Sequence, residues 1–176
     1  MGVDPGLVDT GFGVVEAGPG GVAVVDAGVI STVRTQALDA RLNALHRAMR
    51  RIIEARRPGL LVVEDLYAEY RFPRTAILMG HARGVIYLAA RQAGVAVMAL
   101  SPSEVKRAVT GNGSAGKAQV QRGIQTVLGL ERLPRPSHMA DALGLAVTGL
   151  ARVTGVTPRG RAAAGPPART TVGPGR

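Results

Sequence analysis

The stretch R-R-P-G-L-L-V-V-E, residues 56–64, decides the fold. Pro58-Gly59 stops whatever precedes it, and residues 60–63 then run apolar without a break, which suits a strand buried on both faces. Upstream, apolar residues recur at Leu38, Leu42, Leu45, Met49, Ile52 and Ile53, a helical stripe over residues 36–57 with arginines on its other face. Further back, residues 11–18 and 21–30 are β-rich and separated by Pro19-Gly20, which reads as an antiparallel hairpin. Val3 and Asp4 belong to a strand before it. Downstream, residues 75–92 read as a helix capped by Gly94, and residues 95–100 form a second buried run. A three-stranded meander, then helix, strand, helix, strand and closing helices predict a mixed α/β sheet with helices on both faces.

Length and composition agree with that plan. The 176 residues, 46% apolar and 19% charged, fit one ordinary domain able to fill a single core. There is no apolar run of about 18 residues for a membrane span and no basic start leading into an apolar signal region, so a cytoplasmic protein is expected. Without cysteine there are no disulfides, zinc thiolates or thiol nucleophiles, and any metal must sit on oxygen or imidazole. The formal charge of +10 favours a polyanionic partner such as DNA or RNA. Only Lys106 and Lys117 are lysines, however, and an arginine-, alanine- and glycine-rich chain also fits a biased genome. Residues 156–176 turn to Pro, Gly, Ala, Thr and Arg with no acid, and are expected to form a disordered basic tail.

In so basic a chain, three carboxylates occupy marked places. Asp4 precedes Pro5-Gly6, so it should project from a strand end at a chain reversal; alone, D-P-G reads first as a simple turn. Glu64 follows four apolar strand residues and lies near the carboxyl edge of a buried strand, where ligands of open α/β sheets bind. Its alternative is a strand-end acid facing water. His138 and Asp141 are three apart at the start of an apolar helix with Ser137 as its expected N-cap, which puts both on one face. Asp141 could equally be a first-turn acid complementing the helix dipole, and His138 a cap or surface residue. A divalent cation held by all of them, magnesium or manganese before softer metals, explains every position at once.

These residues and the pattern around them resemble the RuvC-type Holliday junction resolvases, crossover junction endodeoxyribonucleases with a ribonuclease-H-like fold. The resemblance covers residues 2–153 through G-V-D-P-G-L-V-D-T-G-F-G-V-V, L-V-V-E-D-L-Y, G-H-A-R-G-V-I, S-P-S-E-V-K-R-A-V-T-G-N-G-S-A-G-K-A-Q-V and A-D-A-L-G-L-A. It implies a five-stranded mixed sheet, with strands 1–3 an antiparallel meander and strands 1, 4 and 5 parallel, in a nuclease domain of residues 1–155. Asp4, Glu64, His138 and Asp141 then carry over as catalytic residues and metal ligands. Many relatives have a carboxylate where this chain has His138, and imidazole tilts the preference from Mg2+ towards Mn2+, with two ions per site implied. Tyr67 is the implied base-stacking residue, with Tyr70 and Phe72 as helpers, and Arg71, Arg74, Lys106 and Lys117 are implied DNA contacts. The glycines of residues 111–116 could let backbone N-H groups approach phosphate, or simply make a flexible loop.

The activity implied is paired symmetric nicking of four-way junctions in homologous recombination and DNA repair, leaving 5′-phosphate and 3′-hydroxyl ends. Two cuts call for a C2 homodimer, with residues 75–92 and their Gly80 and Gly84 as the interface, although those small residues could instead pack helix on sheet. Branch-migration motor proteins are implied as partners by the resemblance alone. Only Met1, Gly2 and Val3 precede Asp4, fewer than the family usually has, so a short first strand with weakened pairing is expected, and a true start upstream. The competing readings are another ribonuclease-H-like nuclease acting on RNA or flaps, a catalytically silent junction-binding protein, and an actin-like phosphotransferase, which would need a second phosphate loop.

Overall fold

The computed structural model describes residues 1–65 and 73–155, the side chains of residues 73 and 74 excepted. Tyr67, Tyr70, Arg71 and Phe72, the side chain of Arg74 and the tail 156–176 lie outside the described residues. Five strands, β1 (Gly2–Asp4), β2 (Asp9–Gly18), β3 (Gly21–Ser31), β4 (Leu60–Glu64) and β5 (Ala96–Leu100), form one sheet in the order β3-β2-β1-β4-β5. β1, β2 and β3 pair antiparallel, whereas β4 runs parallel to both β1 and β5. The expected sheet is therefore present, and the hairpin closes with Gly18 opposite Gly21 around Pro19-Gly20.

The short first strand is not weakly paired. It is the central strand, with Val3 beside Phe12 on one side and Val63 on the other, and the ladder continues to Met1, whose carbonyl accepts from Val62 N-H at 2.8 Å.

Helices cover both faces because successive strand residues point to opposite sides. On one face Val3, Phe12, Leu61 and Val63 pack with Leu45, Met49 and Ile53 of α1 (Leu38–Arg56) and Ala82 and Ile86 of α2 (Pro73–Gln92). Each large side chain buried completely here contributes about 1.5–3 kcal/mol. α1 ends as Arg57 turns left-handed at φ 43° before Pro58, and α2 is followed by a left-handed Gly94 at φ 71°. On the other face α5 (Ser137–Thr154) lies across β1, β2 and β4, backed by α3 (Pro102–Thr110) and α4 (Lys117–Leu128). No described helix is long and apolar enough to cross a membrane.

α5 sits unusually low on the sheet, and glycine permits it. A Cβ at Gly2 would overlap the Ala142 carbonyl oxygen, and one at Gly11 would overlap the carbonyl of His138. At Gly13 it would stand 2.8 Å from Leu143 Cδ2, and on the helix side a Cβ at Gly149 would drive into Val62. Gly11→Ala should therefore destabilise the protein by at least about 3 kcal/mol, read as a lowered denaturation midpoint. Gly59→Ala, which meets nothing within 4 Å, should stay within about 0.5 kcal/mol of wild type.

Candidate active site

Asp4 ends β1 and Glu64 ends β4. The two strands run parallel with Val3 beside Val63, so the next residues along, Asp4 and Glu64, are neighbours at the same strand ends and on the same face. That face is the one under α5, since Val62, two residues before Glu64, packs on Leu145 and Val105. Asp4 is also cross-strand partner to Gly11, directly beneath His138.

The first turns of α5 complete the group. His138 Nδ1 lies 2.7 Å from Asp4 Oδ2, with Asp4 buried and the imidazole half-exposed. The cap differs from the expectation: Pro136 is the N-cap and makes no side-chain bond, so Ser137 is the first helical residue. Its hydroxyl cannot cap the helix it already belongs to, and Asp141 consequently lies beyond the first turn. That removes the simple dipole explanation for Asp141, because the dipole acts chiefly within the terminal turn.

Electrostatics ties the acids into one cluster. Burial pushes the Glu64 carboxyl up to about 7, with repulsion from Asp4 and Asp141 adding to it and Lys106 opposing. Asp4 is raised first by burial, against the His138 hydrogen bond, and then by Asp141, with Lys117 opposing. Asp141 is raised by burial while Lys117, His138 and Lys106 hold it down. Lys106 from α3 and Lys117 at the start of α4 thus both face the acids from the helices beside them.

Several residues that sequence reasoning passed over shape this site. The turn after Asp4 is held by Thr10, whose hydroxyl donates to the Gly6 carbonyl at 2.5 Å, and by Arg41 and Thr32, which both donate to the Leu7 carbonyl. Arg41 looked like any arginine on the outer face of α1, and nothing in its spacing marks it. α3 begins with a full capping box between Ser101 and Glu104, a signal present in S-P-S-E and legible in principle. It aims the helix that carries Lys106. In the loop 111–116 the N-H groups of Gly111, Asn112, Ser114, Ala115 and Gly116 donate within the loop or to its flanking residues, which favours the plain-loop reading over a phosphate cradle.

The match to known proteins is extensive. The family model for crossover junction endodeoxyribonuclease RuvC matches residues 1–149. The chain belongs to the RuvC family. The RuvC of Rhodopirellula baltica is 41% identical over 149 residues, covering 85% of this chain and 84% of that one. The RuvC of Pelotomaculum thermopropionicum is 43% identical over 147 residues, covering 84% and 89%. Among solved structures, Thermus thermophilus RuvC in complex with a Holliday junction substrate superposes with a TM-score of 0.82 at 34% identity, covering 90% of this chain and 96% of that one. The yeast mitochondrial Holliday junction resolvase Ydc2, at 14% identity and a TM-score of 0.59 over 86% of this chain and 76% of that one, shares the fold. The ribonuclease-H-like architecture expected from the sequence is thereby borne out.

RuvC-family nucleases are metal-dependent, and the donor set suits a hard cation: three carboxylates and an imidazole, partly buried and mutually repelling. As the side chains stand, Asp4 is turned onto His138, and among the described residues no three such groups close on one point.

Because the folded Glu64 carboxyl titrates near 7 against an ordinary 4.5, its neutral form is favoured in the fold. The stability it lends is complete below about 4.5 and is lost as pH rises through 7. Glu64→Gln should accordingly melt several degrees above wild type at pH 8 in chelator, and the advantage should vanish at pH 4. Added magnesium should raise the wild-type Tm at pH 8 and leave that of the variant nearly unmoved.

Proposed function

We propose that this chain is a structure-selective endodeoxyribonuclease that resolves four-way DNA junctions in homologous recombination and repair, by paired symmetric nicks leaving 5′-phosphate and 3′-hydroxyl ends. The observation that carries this reading is the convergence of Asp4 and Glu64, at adjacent strand ends, with Asp141 of α5 above them, in a chain of the RuvC family.

Asp4, Glu64 and Asp141, with His138, are the side chains to hold magnesium or manganese, two ions in the fullest case. When bound, such ions supply an activated water and stabilise the departing oxygen. The protein's own groups do the remainder. Lys106 and Lys117 attract the scissile phosphate and hold it against an otherwise acidic site. His138, hydrogen-bonded to Asp4, orients that carboxylate or donates to the phosphate. The long-range positive charge draws DNA to the surface. Tyr67 stacking on an unpaired base, with Arg71 and Arg74 on phosphate, belongs to this proposal on resemblance alone. Branch-migration motor proteins belong to it on the same footing, as does the division of the chain into a nuclease domain, residues 1–155, and a basic tail.

Paired cuts need two sites, and α2 is the proposed two-fold interface. Ile77, His81, Gly84 and Leu88 fall at helical spacing on one exposed stripe, with Ile77 59% and Leu88 51% accessible, while Ala82, Ile86 and Ala89 are buried on the opposite side. A helix apolar on both sides needs a second partner, and the small Gly84 lets a symmetry mate approach.

Wild type incubated with a four-way junction and magnesium should yield symmetric nicked duplexes, and a linear duplex should stay intact. Asp4→Asn should lower the rate by at least about 10³-fold, with junction affinity unchanged or tighter, because a negative charge facing phosphate is removed. Linear duplex cut as fast as junction, or undiminished cutting by Asp4→Asn, overturns the proposal.

The double substitution Ile77→Lys, Leu88→Lys should convert a dimer to a monomer by light scattering. Paired nicking should be lost with it, while single nicks persist.

A further inference from the structure

The acidic cluster does not account for one partly buried arginine on the far side of the sheet. Arg83, on α2, keeps only 15% of its side chain accessible, and its Nη2 lies 3.0 Å from Asp65 Oδ1. The same nitrogen donates to the hydroxyl of Tyr87, one turn further along, at 2.7 Å. Its guanidinium carbon stands 5.1 Å from the centre of that ring. Arg83 Nε is buried with no hydrogen-bond partner among the described residues.

Such an arrangement is a poor way to stabilise a helix. A partly buried guanidinium whose Nε has no partner among the described residues, paired to a carboxylate that is half in water, is weak evidence for a stabilising role. What it does well is fix a position. Asp65 directly follows Glu64, and its N-H donates to the Leu100 carbonyl at 2.8 Å, prolonging the strand pairing by one residue. Side chains alternate across a strand, so with Asp65 drawn towards α2, Glu64 must point to the α5 face where Asp4 and Asp141 lie.

We propose that Arg83, braced by Tyr87, is a positioning residue that clamps Asp65 and thereby sets the direction of the Glu64 carboxylate for cation binding and junction cleavage. This rests on the proposed function, since it concerns the same acidic cluster. Glu64 is the last residue of β4, and among the described residues the pairing with β5 ends at Asp65, which is where the Arg83 contact acts.

The test uses the full chain as wild type, Arg83→Met, Asp65→Asn and the double variant. Two quantities are read: the magnesium concentration at half-saturation of the site (its midpoint), obtained by fitting the logarithmic dependence of Tm on magnesium, and kcat and KM for junction nicking. Arg83→Met should shift the midpoint up by about tenfold, lower kcat by about as much and leave KM for the junction unchanged. Simple electrostatics gives the opposite sign, because deleting a nearby positive charge tightens cation binding. Asp65→Asn, at a half-exposed position where folding is not at stake, should shift the midpoint in the same direction. The double variant should show less than the sum of the two single effects, since both single changes remove the Arg83–Asp65 pair. A purely structural role lowers Tm in chelator and leaves the magnesium midpoint in place. If wild type nicks the junction and the Asp65→Asn midpoint stays within twofold of it, the clamp is overturned while the proposed function stands. If wild type leaves the junction intact at any magnesium or manganese concentration, the proposed function fails and the clamp fails with it.

Discussion

The closeness of α5 to the sheet is the constraint on which the site depends. A helix packed on a sheet ordinarily rides on a layer of side chains contributed by both. Here Gly2, Gly11 and Gly13 remove that layer from β1 and β2, and Gly149 removes its counterpart from the helix. The His138 carbonyl consequently rests over Gly11, and its imidazole reaches Asp4. A short side chain such as Asp cannot bridge a normal helix-sheet gap. The glycines are thus what allow a residue on the last helix and a residue on the first strand to act together, although 134 positions separate them.

The second determinant is electrostatic. Strands in a sheet lie about 4.8 Å apart, so acids in register on one face of β1 and β4 repel, and partial burial adds the cost of desolvation. A fold selected only for stability would place an apolar residue at one of the two positions. Lys106 and Lys117 approach from α3 and α4, on capped helices braced against α5, and offset part of the charge. Burial keeps all three carboxyls raised in spite of the lysines, and at Glu64 and Asp4 repulsion from neighbouring acids adds to it. The residual demand for positive charge distinguishes this group from ordinary surface acids, and it suits a cation better than another side chain, which would bring its own bulk into a space that phosphate must enter.

Much of this was readable in the residues, unevenly and for definite reasons. The apolar runs at 60–63 and 95–100 and the stripe from Leu38 to Ile53 gave their elements directly, but continuity of apolar residues overstated burial in the second run: β5 is the edge strand, and of residues 95–100 only Leu100 is buried. The helix boundary at Ser137 was misplaced by one residue. Ser is a common cap, but the preceding Pro136 already adopts the extended cap geometry, and a propensity cannot choose between neighbours. The three acids could be singled out because each interrupts apolar sequence. Their meeting could not be read from spacing, since it depends on the glycine contacts of a helix with distant strands; resemblance to a family supplied that step. Arg41, Thr10 and Arg83 were illegible for the same reason. Each acts through a partner far away in sequence or on a neighbouring element, and none departs from the pattern of its own helix or strand.

The sheet therefore has two faces with different tasks, and β4 ends between them. Val63 and Asp65 belong to the side of α1 and α2, where packing and the Arg83 contact hold the strand end. Glu64 belongs to the side of α5, where packing is given up in favour of charge. A carboxylate that must stay ready for a cation cannot itself be tied down by a strong ion pair, because the pair would compete with the cation it is meant to bind. Fixing its neighbour on the opposite face avoids the conflict: the backbone is constrained, the side chain remains free to rotate, and the cost of a buried cation falls on the face that does not meet DNA in the proposed arrangement. The same reasoning applies to Asp4, whose following turn is fastened at Gly6 and Leu7 by Thr10, Thr32 and Arg41, while its own carboxylate makes, among the described residues, the exchangeable bond to His138.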